Sequence, residues 1–321
     1  MNYKPTILVS QDKTVFQKVY LAKQFEKYFK IEILDTNKSY NLQDTVVVSD
    51  ALDHEQGINL DELRIADTGV RHVLDQCWDS WSNHLSRLSH IANFVWRPRY
   101  FLRVNESFWY KHLGYDKLDF TSNTDCDFLL LMNGLRSHRT DLHKSLQKHL
   151  AHNIHSYVEY GVDLQNAKDS PYEDTDRWQR FVDPEWYTRS RFSIVTESDV
   201  YLTHYGDRIV DFPNCSEKSF KPCAFKHPSI ILGQQGVQQE LINQGFATFN
   251  HVDYDSVEDY TERFGLVMEY IELAISNPDL FRDSESQEKI EHNYHWFYND
   301  HAIEKIFKES MVDPLLEFIE S

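Results

Sequence analysis

The chain has 321 residues, of which 41% are hydrophobic and 14% aromatic, and a formal net charge of −18. That composition belongs to a folded protein rather than a disordered one, and the length favours two cores over one. The acidic excess disfavours a nucleic-acid partner gripped along its backbone, which needs clustered Lys and Arg, but allows a local basic pocket for phosphates. No apolar run approaches the roughly 20 residues that span a bilayer. Cys77, Cys126, Cys215 and Cys223 form no Cys-x-x-Cys pair, and no cleavage pattern follows the first residues, so the expected location is the cytoplasm.

In chain order, Thr6–Val9 predicts a buried strand. Phe16, Val19, Tyr20, Ala22, Phe25 and Phe29 recur at helical spacing, and Lys30-Ile-Glu-Ile-Leu-Asp35 and Thr45-Val-Val-Val-Ser-Asp50 predict two more strands. Residues 65–81 read as a strand turning into a helix, while 93–110 is aromatic-rich and shows no clear period. Continuous apolar strands separated by a helix predict a parallel sheet covered on both faces. A second start comes near residue 122. Asp127-Phe-Leu-Leu-Leu-Met132 predicts a strand broken at Asn133-Gly134, followed by a helix through Leu142, Leu146 and Leu150 and a strand at Ser156-Tyr-Val-Glu-Tyr160. Residues 162–188 are polar and acidic and carry Pro171 and Pro184, which reads as a loop-rich insertion. Next come a strand over 191–195, a helix near Ser216, a strand at Ser229–Leu232 and a helix over 237–244 closed by Gly245. Pro222 predicts that the helix near Ser216 kinks or starts later. Val257, Tyr260, Phe264, Val267 and Ile271 form one stripe of a long helix, capped by Asp255 or Ser256 and stopped before Pro278, and 288–321 reads as helical. The expected architecture is α/β, with two Rossmann-like domains facing a cleft, where strand ends and helix N-termini converge on a ligand.

Three segments carry candidate chemistry. Asn133-Gly-Leu-Arg136-Ser-His138-Arg139 follows a core strand, and guanidinium groups at a helix start suit bidentate binding of a diphosphate. Solvated or acid-paired arginines are the plain alternative. Glu197 ends the strand after Phe192, where a carboxylate can accept both hydroxyls of a ribose; a solvent-facing or capping glutamate is the plain alternative. Ser216-Glu217-Lys218 reads as a helix start in which Ser216 caps, Glu217 complements the dipole and Lys218 can neutralise a phosphate. His138, His143, His149, His152 and His155 crowd one region without metal-ligand spacing, so no metal is expected. No Gly-x-x-x-x-Gly-Lys-Ser loop, Gly-x-Gly-x-x-Gly fingerprint or Gly-x-Ser-x-Gly elbow occurs, which removes P-loop enzymes, the simplest dinucleotide enzymes and α/β-hydrolases.

The ordered set Asn133…Arg136…Arg139, Val158-Glu-Tyr-Gly161, Phe192…Glu197-Ser198, Ser216-Glu-Lys-Ser-Phe220 and Ala224-Phe-Lys-His-Pro228…Gly233 resembles the donor half of α-1,3-fucosyltransferases and related GT-B glycosyltransferases of bacteria and large DNA viruses. The resemblance covers roughly residues 127–250; Thr196 and Ser198 stand where the family carries Phe and Asn. It implies an acceptor-side domain over 1–121, a nucleotide-sugar domain over 122–285 and a helical tail over 286–321 packing back on the first domain. It also implies a metal-independent, inverting transfer of a hexose or fucose from a GDP- or UDP-type donor to a glycan or other hydroxyl acceptor, with no further cofactor. Arg139, and Arg136 second, would contact the pyrophosphate, Glu217 the ribose and Lys218 a phosphate, with Asn133, Glu197 and Ser216 completing the donor site. Such a transfer needs a carboxylate base, for which Asp12, Asp35, Asp50, Asp53 and Glu106 are the candidates. Two alternatives stay open: a DNA-base glycosyltransferase, and a noncatalytic protein of the same fold that binds a nucleotide or glycan.

Overall fold

The computed structural model describes residues 4–9, 23–33, 45–50, 71–75, 94–96, 101–120, 123–133, 136–158, 183–198, 200, 213 and 215–321. The chain divides into two compact units, one built on Met1–Leu113 and Asn299–Ser321, the other on Gly114–Thr203 and Val210–Tyr298. The first unit holds strands β1 (Thr6–Val9), β2 (Lys30–Ile33), β3 (Thr45–Asp50), β4 (Arg71–Asp75) and β5 (Phe94–Trp96). They pair in the order β2-β1-β3-β4-β5, every neighbour parallel. Ile7 lies in register with Ile31 on one side and Val46 on the other. The stretch without a sequence period contains β5 and helix α1 (Phe101–His112). Arg103, Val104, Asn105, Glu106, Ser107 and Tyr110 are all buried. Arg103, Asn105, Glu106 and Ser107 are polar, so burial in this helix does not follow the apolar letters that a periodic reading tracks.

The second unit runs β6 (Cys126–Asn133), α2 (Ser137–Ser145), β7 (Ile154–Val158), α3 (Pro184–Arg189), β8 (Ser190–Thr196), α4 (Glu217–Ala224), β9 (Ser229–Leu232), α5 (Val237–Asn243), α6 (Tyr260–Ser276) and α7 (Ser284–Phe297). Its strands order as β7-β6-β8-β9, again all parallel. Chain order thus reverses between β6 and β8, the kind of switch point at whose carboxyl edge open α/β sheets bind ligands.

Several boundaries differ from the expectation, each for a local reason. The strand expected at 156–160 lies at Ile154–Val158. The insertion expected to be loop closes with α3, because Asp183 accepts from Glu185 N at 2.9 Å and Pro184 occupies the first turn, where its missing N–H costs nothing. Helix α6 is capped by Asp259, which accepts from Glu262 N at 2.9 Å. Asp255 instead caps α5, taking Gln238 N and Gln239 N at 3.0 Å each. Helix α4 begins directly at Glu217; Pro222 stands late in a helix that ends at Ala224, so it withholds a single donor and no long helix is interrupted.

The chain then returns to the first unit through α8 (Asp300–Phe307), a π-helical turn over Lys308–Val312 and α9 (Asp313–Glu320). Ile303, Phe307, Met311, Val312, Leu315 and Ile319 share one core with Ile7, Phe25, Phe29, Val46 and Val104. Phe307 meets Phe25 edge-on at 4.8 Å and Phe108 at 5.9 Å. Among the described residues no helix is long and apolar enough to cross a membrane.

Candidate functional site

At the carboxyl edge of the second sheet, three separate segments meet around Glu197, the residue after β8. From α2, His138 Nε2 lies 3.0 Å and Arg139 Nη2 3.4 Å from the Glu197 carbonyl oxygen. Glu197 N donates to Leu232 O at 2.9 Å, which ties the strand end to β9. The Glu197 carboxylate turns to the start of α4: Oε1 accepts from Ser216 N at 3.0 Å and Ser219 Oγ at 2.6 Å, and Oε2 accepts from the Ser216 hydroxyl and from Ser198 N at 3.3 Å. Lys218 Nζ donates to Ser216 Oγ at 2.9 Å and Ser198 Oγ at 3.4 Å and pairs with Glu217 Oε1 at 2.9 Å. An ammonium has three protons, so these partners occupy all of them.

The charges are set by burial and by neighbours. Burial pushes the His138 imidazole down to about 4, helped by the adjacent Arg139 and Arg136 cations. It is therefore neutral at pH 7, and since a carbonyl only accepts, its proton sits on Nε2. For Glu217 burial works toward a higher pKa, but Lys218 and Lys221 outweigh it and hold the carboxyl at about 2. The edge therefore combines a permanently ionised glutamate, the Lys218 ammonium, a neutral imidazole and two guanidinium groups. Such a set can hold a diphosphate while its glutamate accepts hydroxyl protons.

The structure brings Arg139, Glu197, Ser216, Glu217 and Lys218 together. Arg139 is buried in the first turn of α2, whereas Arg136 is the exposed, extended residue that precedes it. Asn133 closes β6 opposite Val158, with its side chain outside the described residues. Glu197 is 0% exposed and takes its donors from the protein, so its carboxylate does not present itself to a ligand. Glu217 and Lys218 side chains are 17% and 22% exposed and do reach the surface. In the first unit, Asp50 closes β3 beside Asp75, while its side chain and residues Asp12, Asp35 and Asp53 lie outside the described residues. Glu106 sits inside α1, 0% exposed, and accepts from Asn105 Nδ2 at 3.2 Å.

Sequence reasoning missed three participants. His138 was grouped with its neighbouring histidines, yet His149 pairs with Glu272 at 3.1 Å and His143 faces His155 across 6.5 Å. Among the described residues no three potential ligands gather. Ser219 had no separate signal within α4. Arg263 did have one, being a charged residue within the apolar stripe of α6. It is buried and donates to Gly233 O, Val257 O, Glu258 O and Val200 O, fastening the segments after β8 and β9.

No protein-family model and no curated protein matches the chain. Among solved structures, the crystal structure of an alpha1,3-fucosyltransferase is similar to it, with a TM-score of 0.44 and 8% identity over 87% of this chain and 81% of that one.

Proposed function

We propose that the protein is a glycosyltransferase that takes its sugar from a nucleoside-diphosphate donor held at the carboxyl edge of the second sheet. The observation that carries the reading is the meeting of Arg139, Glu217 and Lys218 where chain order reverses between β6 and β8, in a chain whose net charge is −18. An acidic protein that gathers cations at one strand edge favours an anionic ligand there over its own surroundings. Arg139, with Arg136 second, binds the diphosphate. Lys218 gives a phosphate oxygen the proton it now shares with Ser198 or Glu217. Glu217, still faced by Lys221, accepts the ribose hydroxyls.

In the transfer, the acceptor oxygen forms a bond to the anomeric carbon as the bond from that carbon to phosphate breaks. The electron pair leaves on the nucleoside diphosphate, where the guanidinium and ammonium groups stabilise it. A carboxylate base takes the acceptor proton; Asp35, Asp50, Asp53 and Glu106 are the candidates. The full burial of Glu106 weighs against it among these candidates, and a second reading has the nucleotide bound without turnover.

Titration calorimetry with GDP, UDP, CDP and ADP, followed by hydrolysis of the matching donor sugar, separates these readings. Arg139→Ala is expected to weaken the preferred nucleotide at least ~10-fold, about 1.4 kcal/mol. Glu217→Ala is expected to weaken the free nucleoside as well. If none of the four nucleotides binds, the proposal is wrong; binding without hydrolysis or transfer selects the noncatalytic reading.

A further inference from the structure

Glu197 lies beneath the charged groups without facing them, and its two oxygens do different things. Oε1 holds Ser216 N and Ser219 Oγ, at 3.0 and 2.6 Å, and so clamps the first turn of α4. Oε2 takes Ser198 N and the proton of the Ser216 hydroxyl. A serine hydroxyl has one proton and two lone pairs. With the proton committed to Glu197, both lone pairs of Ser216 Oγ accept from the same residue, Lys218 N at 3.4 Å and Lys218 Nζ at 2.9 Å. The hydroxyl is therefore saturated in one orientation only.

We infer that Glu197 is a positioning residue for Lys218: by taking the Ser216 proton it keeps the serine oxygen an acceptor and holds the ammonium at the opening of α4. This deepens the anion-binding reading given above and rests on it. The Lys218 ammonium is the group so held, and Glu197 itself touches no ligand. Glu197→Gln separates positioning from clamping. The glutamine carbonyl can still accept from Ser216 N and Ser219 Oγ. Its amide group, standing in place of Oε2, donates to Ser216 Oγ and occupies one lone pair. Lys218 N and Nζ then compete for the other, and the ammonium loses its shortest neutral anchor.

The test uses the full chain with inorganic pyrophosphate and GDP as probes, together with the 15N signal of the Lys218 side-chain ammonium. Glu197→Gln and Ser216→Ala are each expected to weaken both probes by about tenfold or more, and Ser216→Thr to stay within about threefold of the unmodified protein. In the two weakened variants the protected Lys218 signal is expected to merge with those of exposed lysines. Unchanged binding with an unchanged Lys218 signal overturns the inference. So does weaker binding with the signal unmoved, which assigns the loss to the fold. If the unmodified protein binds neither probe, the Lys218 signal decides positioning alone, its loss in both variants upholding it and its retention overturning it, while the proposed function falls only if UDP, CDP and ADP also fail to bind. Should Glu197→Gln fail to fold, the contrast between Ser216→Ala and Ser216→Thr decides the matter in the same way, equal affinities overturning the inference.

Discussion

His227 is sealed in a manner close to His138. Its Nε2 donates to Ser190 O at 2.8 Å, Nδ1 accepts from Ser193 Oγ at 2.8 Å, and burial pushes its pKa down to about 4. Both imidazoles are neutral in the folded protein and charge more readily in the unfolded chain, whose value is 6.5. The unfolded state therefore binds more protons between those two values, and stability falls as pH drops from 6.5 toward 4. Each histidine contributes a loss of at most about 3 kcal/mol. The melting temperature is expected to decline across that window, and His227→Gln to flatten the decline; a melting temperature constant across it contradicts this account. Glu217 acts in the same direction, in a more acidic window. Its contribution is complete above 4.5 and is lost only as pH falls through about 2, so its pairing with Lys218 is intact at neutral pH. The residue types at this edge were legible from sequence, as were the cap at Ser216 and the dipole complement at Glu217. The direction of Glu197 was not. Its donors Ser198, Ser216 and Ser219 lie 1, 19 and 22 residues away, and a strand-end acid has the same letter whether it faces a ligand or a neighbouring helix.

At the scale of elements, helix ends were read less well than helix faces. Asp255 and Asp259 are both good caps near the start of α6, and their choice depends on which free amides lie closest. The amides of Gln238 and Gln239 at the start of α5 claim Asp255, a decision made across about 16 residues of chain. Gly245 ends α5 as expected, with φ at +87°. Its closeness to α7 was not foreseeable: a Cβ there would stand 2.6 Å from Trp296 Nε1, while that same indole nitrogen donates to Gln244 O at 2.7 Å. Gly245→Ala is thus expected to combine left-handed strain of about 1–3 kcal/mol with displacement of Trp296. Chemical denaturation and the near-ultraviolet signal of the tryptophans check this; a variant as stable as the parent would show that neither constraint acts.

At the scale of the whole molecule, each unit has its own parallel sheet and its own core. The core of the first is completed by the last residues of the chain. Phe307 is 3% exposed and packs against Phe25, Phe29's neighbour in the same cluster, and against Phe108. Phe307→Ala is expected to cost about 3–5 kcal/mol. In calorimetry the transition assigned to the first unit should move to lower temperature while that of the second stays in place. A shift of both together, or of neither, contradicts the division of the cores.

Alternation of apolar runs with helical spacing was enough to specify α/β units with parallel strands, because burial on both faces writes itself into consecutive residues. Cap, turn and charge chemistry likewise named most of the side chains at the candidate site, since each works within a few residues of its own position. Strand order, the reversal between β6 and β8, the inward turn of Glu197 and the recruitment of Phe307 were decided by packing over long separations, and no local pattern of letters records which distant surface a side chain will meet.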